Sequence, residues 1–139
     1  MTSTYSAVVT GYFQPNTDQI AIEIDSPASS IIKIRKIRIT TTDGQDTAVK
    51  DAHKAVDLII ESVGTTGGSL YTPIPVNANN PASACTVTVG PAAKGTVFQT
   101  VDTMSVHSGT DYLWQAADDD DKIVIQPGQI FAIVVNPAA

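Results

Sequence analysis

Hydrolytic or group-transfer chemistry needs a nucleophile beside a base, with a third group that orients the base. The bases on offer are two histidines, His53 and His107. Neither lies in a recognisable nucleophile motif, and Ser108 and Gly109 after His107 read as a turn. Cys85, the single cysteine, falls in an alternating run from Ala84 to Val89, where a buried and inert thiol is expected. Paired carboxylates can do acid–base work, and the densest acidic run is Asp118 to Asp121. Four adjacent like charges repel one another and demand solvent, so this run reads as an exposed loop ahead of Ile123. It lacks the spaced ligands and the glycine of a dedicated calcium loop. Gly64-Thr65-Thr66-Gly67-Gly68 lacks the Lys-Ser/Thr ending of a phosphate loop and reads as a flexible turn. The expectation is a protein that is not an enzyme, with no catalytic residues, no cofactor and no metal.

Contact chemistry is better represented. Lys33, Arg35, Lys36 and Arg38 place four of the eight basic residues within six positions. On one strand face they would suit docking onto an acidic surface. The competing expectation is a solvated face partly neutralised by Glu23. Tyr5, Tyr12, Phe13 and Trp114 are candidate aromatic anchors, of which Tyr5 and Tyr12 complete the candidate contact surface; core packing is the competing expectation for most of the four.

The bulk properties narrow the partners. The 139 residues carry a formal net charge of −6, with only 16% charged residues. Phosphate contacts need a surplus of Lys and Arg, so nucleic acid is not an expected partner. No apolar run approaches the roughly 18 residues that cross a membrane. The N-terminus lacks the basic and apolar regions of an export signal, so synthesis in a cytoplasm is expected. One cysteine cannot form an internal disulfide, and a chain of this length fills a single domain, 1–139, without one.

Short alternating runs separated by Gly, Pro, Asn and Asp clusters must position these residues. They span Tyr5 to Phe13, Ile20 to Asp25, Ile31 to Thr41, Ala55 to Val63, Leu70 to Val76, Ala84 to Val89, Val97 to Val106, Lys122 to Ile125 and Ile130 to Val135. Eight or nine strands are the number expected for a sandwich or jelly roll. Ile20, Ile22 and Ile24 alternate with Glu23 and Asp25, and the short turn Ser26 to Ser30 predicts a hairpin. Its register would place Ile24 opposite Ile32, Ile22 opposite Ile34 and Glu23 opposite Lys33. Ile32 and Ile34 are out of phase with Ile37 and Ile39, which predicts a β-bulge at Arg35 and Lys36. From Asp46 to Gly64 helical and strand spacing compete, and a strand from about Ala55 is favoured. Gln126-Pro127-Gly128-Gln129 fits a type II turn. It leads into Ile130 to Val135, which is apolar throughout and expected to be buried on both faces.

The run Lys33 to Ile39, then Val56 to Ser62, Thr66 to Ser69, Thr72 to Asn77, Asn80 to Val87 and Ile125 to Val134 resemble, in order and spacing, small phage structural proteins of jelly-roll type. These include capsid decoration (cement) proteins. The resemblance covers roughly Ile31 to Asn136, with no family motif before Ile31. It implies an all-β, antiparallel jelly-roll β-sandwich of about eight strands, with a strand over Val56 to Ser62. It also implies a homotrimer bound to the major capsid protein on the outer head surface of a virion, made in a bacterial host cytoplasm. Residues 1–10 are polar enough to be an arm that orders on docking. The alternative reading is a phage tail or receptor- or carbohydrate-binding β-sandwich module. Such modules display aromatics over a groove, and aromatics are only 6% here.

Overall fold

A computed structural model describes residues 4–8, 19–40, 53–63, 68–90, 95–107, 111–118 and 121–137. The described part of the chain is built of strands with no α-helix, and every strand pairing is antiparallel. In chain order the strands are β1 (Tyr5–Ser6), β2 (Gln19–Asp25), β3 (Ile32–Ile34), β4 (Lys36–Thr40), β5 (His53–Val63) and β6 (Ser69–Tyr71). They continue as β7 (Ile74–Pro75), β8 (Thr86–Val89), β9 (Thr96–His107), β10 (Asp111–Gln115), β11 (Ile123–Ile125) and β12 (Ile130–Pro137). Six form one sheet in the order β6-β8-β2-β12-β5-β9, while β1-β7, β10-β4 and β11-β3 are two-stranded ladders.

The six-stranded sheet has an apolar cluster on each face, and its central strand β12 has the most apolar sequence. Phe131 and Ala132 in β12 are buried, as are Val134 and Val135, as the uninterrupted apolar run predicts. One face sends Phe131, Val56, Leu58 and Ile60 into a core closed by Ile37 of β4 and by Ile123 and Ile125 of β11. Each fully buried side chain of this size contributes about 1.5–3 kcal/mol relative to exposure. The other face carries a second cluster, Ile20, Ile59, Ala132 and Val134.

The turn before β12 is as predicted. Gln129 N–H donates to Gln126 O at 3.0 Å, and Gly128 takes φ +79°, the left-handed third position of a type II turn. The strand reading of 55–63 also holds, with β5 beginning at His53. The isoleucines of the basic run all reach the same core: Ile37 is buried there and Ile32, Ile34 and Ile39 pack against it. Their change of phase is absorbed at Arg35, where the run divides into β3 and β4. The two halves pair with different partners, and Ala116 N–H donates to Arg35 O at the break.

The predicted hairpin between β2 and β3 does not form. Strand β2 pairs with β8 on one side and β12 on the other, whereas β3 pairs with β11. Two neighbours already occupy both edges of β2, so β3 has no ladder to join there. The five residues Ser26 to Ser30 instead carry the chain from the sheet to the elements packed over it. That is a distance of about 10 Å, which a few extended residues span. Ser26 anchors the crossing, with its N–H donated to Gln129 O at 3.0 Å and its Oγ to Ser30 O at 2.7 Å.

The expected single face for Ile20, Ile22 and Ile24 is likewise corrected. The register against β12 slips between Ile133↔Ile22 and Val134↔Ile20, leaving Ala21 unmatched. This extra residue turns Ile20 to the opposite face, where it joins the second cluster. Glu23 lies opposite Thr88 and Ala132 and is buried, far from any pairing with Lys33 in the ladder. The expected strand Leu70 to Val76 divides at Thr72-Pro73 into β6 and β7, and β10 is an addition to the predicted set.

Candidate functional site: two chemically different surfaces

Lys33, Arg35, Lys36 and Arg38 are all exposed. Their isoleucine neighbours are committed to the core, so strand alternation and the break at Arg35 leave the basic side chains outside. Lys33 belongs to the β3-β11 ladder and Lys36 and Arg38 to the β4-β10 ladder. The result is a basic strip on paired backbone, held from below by Ile32, Ile34, Ile37 and Ile39. Glu23 is on the six-stranded sheet, opposite Thr88 and Ala132.

Beside Arg38, Leu113 of β10 is exposed, while Tyr112 and Trp114 pack toward the core. Tyr112 hydrogen-bonds the Asp102 carboxylate of β9 and so ties this ladder to the edge of the sheet. Partial burial first, and then the charge of Asp102, raise the phenol above its usual value.

Tyr5 sits elsewhere. Its hydroxyl donates to Pro81 O at 2.8 Å, Val76 N–H donates to Thr4 O at 2.8 Å, and β1 pairs with β7. Val8 N–H donates to the hydroxyl of Tyr71 at 3.3 Å. Within 4–8 the N-terminal segment is therefore attached to the body, and Tyr5 is half-buried as a clip. Tyr12 lies outside the described residues. Among the described candidates, the four basic residues share the paired strip and Tyr5 belongs to a different ladder.

Around Tyr5 lies a surface missing from the predicted set. Leu70 is 81% exposed, and Val8, Ile74 and Val76 are each more than half exposed. Together with Pro73 and Cys85, which line a shallow groove beside Leu70, they form an apolar end built from β1, β6, β7 and the segment before β8. The signal was in the composition: Ser62 to Ala93 contains no charged side chain, nor does the chain before Asp18. Those two stretches supply all of this end.

The chemistry candidates remain separate. Cys85 is half-buried just before β8, with its Sγ 2.8 Å from Ser83 Oγ. His53 and His107 are register partners at one end of the β5-β9 ladder. Asp118 and Asp121 are exposed, with Asp121 N–H donated to Asp118 O at 3.3 Å; Asp119 and Asp120 lie outside the described residues. Among the described residues no group of three or more His, Cys, Asp or Glu side chains forms a metal-holding cluster, and no helix is long and apolar enough to cross a membrane.

Comparison with family models, curated proteins and solved structures returns no match to this chain.

Proposed function

We propose that this chain is a bacteriophage capsid decoration protein whose strands form a jelly-roll sandwich. It binds the major capsid protein on the outer head surface, as a homotrimer made in the host cytoplasm, and acts by covering surface. The observation that carries the reading is the division of the exterior into a basic strip and an uncharged apolar end. A cement subunit needs two contacts of different kinds, one to the shell and one to its own copies. The strip supplies charge for an acidic shell surface. The apolar end suits copies that share a net charge of −6, since like charges facing each other across an interface disfavour it. A subunit that binds only the assembled shell stabilises it by mass action.

One observation favours this reading over a carbohydrate-binding module. Phe98 is the only exposed aromatic side chain among the described residues whose burial is resolved. A sugar platform of stacked rings would need more.

The test is co-sedimentation with shells that lack the protein, beside its mass by light scattering. The expected result is a trimer that pellets with shells. Replacing Lys33, Arg35, Lys36 and Arg38 by Ser should abolish pelleting and leave the mass unchanged. A monomer, or pelleting indifferent to the four substitutions, would sink the proposal.

A further inference from the structure

The second face of the six-stranded sheet holds a group that no contact surface uses. Three carboxylates lie there on β2 and β5, the two strands that flank β12. The register across β2, β12 and β5 sets Glu23, Ala132 and Ile59 in one row and Asp25, Ile130 and Glu61 in the next. Backbones of β2 and β5 are two strand spacings apart, about 10 Å, and Glu23 and Glu61 lie diagonally across β12, past Ala132 and Ile130. The Glu61 side chain hydrogen-bonds that of Glu23. Glu61 is 0% exposed and Glu23 3%.

Ionised carboxylates only accept hydrogen bonds, so contact between two of them requires a proton. The remaining atoms say the same. Glu61 Oε2 accepts the N–H of Gly95, but Glu61 Oε1 is buried with no donor, and so is Asp25 Oδ1. The ladder is also adapted here. The β5-β9 register slips on both sides of Glu61, which leaves Gly95 before β9 to donate to a side chain.

We propose that Glu23 and Glu61 share one proton over β12, and that its loss is a built-in switch that loosens this face of the sheet as pH rises.

The surroundings give the sign. From β2, Glu23 and Asp25 face Glu61, and both push it toward the protonated form. From β12 the neighbours are Ile130 and Ala132, and from β9 the ladder partner is Val97. On β5 itself the next titratable residue of this face is Asp57, another acid. Beyond β2, β8 contributes Thr86 and Thr88. Burial, the bond to Glu23 and the two like charges raise Glu61 from 4.5 to about 7, with the Gly95 bond opposing. Burial also raises Asp25. A carboxyl group held above its unfolded value binds more protons in the folded state. Its contribution is therefore fully present below about 4.5 and is lost as pH rises through about 7. The adjoining cluster of Ile20, Ile59, Ala132 and Val134 is the packing that water would enter.

The experiment is urea unfolding of the full chain between pH 5 and pH 9, beside Glu61→Gln. Glutamine keeps the shape, and its amide donates to Glu23 at every pH. The wild-type midpoint should fall across neutrality, while that of E61Q stays level and exceeds it at pH 9. In parallel, the infrared carbonyl band of a protonated carboxylic acid should persist to neutral pH in the wild type. That reading does not depend on the variant folding. Parallel midpoints for the two proteins, or loss of the protonated-acid band below pH 5, would overturn the proposal. So would millimolar calcium restoring the wild-type midpoint at pH 9, which would make the cluster a cation site.

Discussion

Gly128 is the clearest case of one residue answering one backbone demand. Its φ of +79° belongs to the left-handed region, and a Cβ added there would meet nothing within 4 Å. Substitution is thus a test of backbone strain alone, without a clash. Gly128→Ala should lower stability by about 1 kcal/mol, read as a lower urea midpoint with unchanged denaturant dependence. No change would mean that the turn relaxes to another type. This residue was legible because Pro127 and Gly128 each act through their own φ, with no need of a distant partner. Glu61 was not legible in the same way. Its carboxylate is one of four in the alternating runs Ile20 to Asp25 and Ala55 to Val63. The register of three strands puts Glu61 and Glu23 on one face, and only the folded side chains show that they meet.

Strands were legible where alternation or continuous apolar character fixed them, and pairing was not. The runs that became β2, β5, β8, β9, β11 and β12 stand close to their predicted bounds, because a side-chain period of two is a local property. The β2-β3 hairpin failed because its register satisfied the same rule: isoleucine opposite isoleucine and Glu23 opposite Lys33. Ile22 and Ile24 meet Ile133 and Phe131 of β12 equally well, and nothing within a local window ranks a distant partner against a near one. Strand β10 escaped notice because Tyr112 and Trp114 give only one alternation between a glycine turn and the acidic run. It is nevertheless held firmly to its surroundings, since Tyr112 joins it to Asp102 across two paired elements. Tyr112→Phe keeps the ring and deletes that bond, so the urea midpoint should fall by the equivalent of about 1 kcal/mol. The partly exposed site keeps the cost at the lower end of the range for bonds to charged groups. A variant as stable as the wild type would show that water replaces the phenol at Asp102.

On the proposed function, the basic strip and the apolar end make two interactions with opposite salt responses. Ions screen attraction between exposed charges beyond about 10 Å at 0.1 M, so shell binding through Lys33, Arg35, Lys36 and Arg38 should weaken as sodium chloride rises. The end formed by Val8, Leu70, Ile74 and Val76 has no charge to screen. Association through it should persist in the same salt and strengthen in sulfate, which favours burial of apolar surface. Leu70 and Ile74 project from β6 and β7 into solvent, so replacing both by Asp deletes little packing within the subunit. The expected outcome for Leu70→Asp with Ile74→Asp is a monomer by light scattering with a wild-type unfolding midpoint. The same monomer should bind shells more weakly, because it loses the multivalency that the three linked strips of the proposed trimer would provide. An associated double variant would place the self-contact elsewhere, with the long edge strand β9 and its exposed Phe98 as the next surface to alter. Salt-sensitive association of the wild type would instead assign the self-contact to the basic strip, which would then be unavailable to a shell.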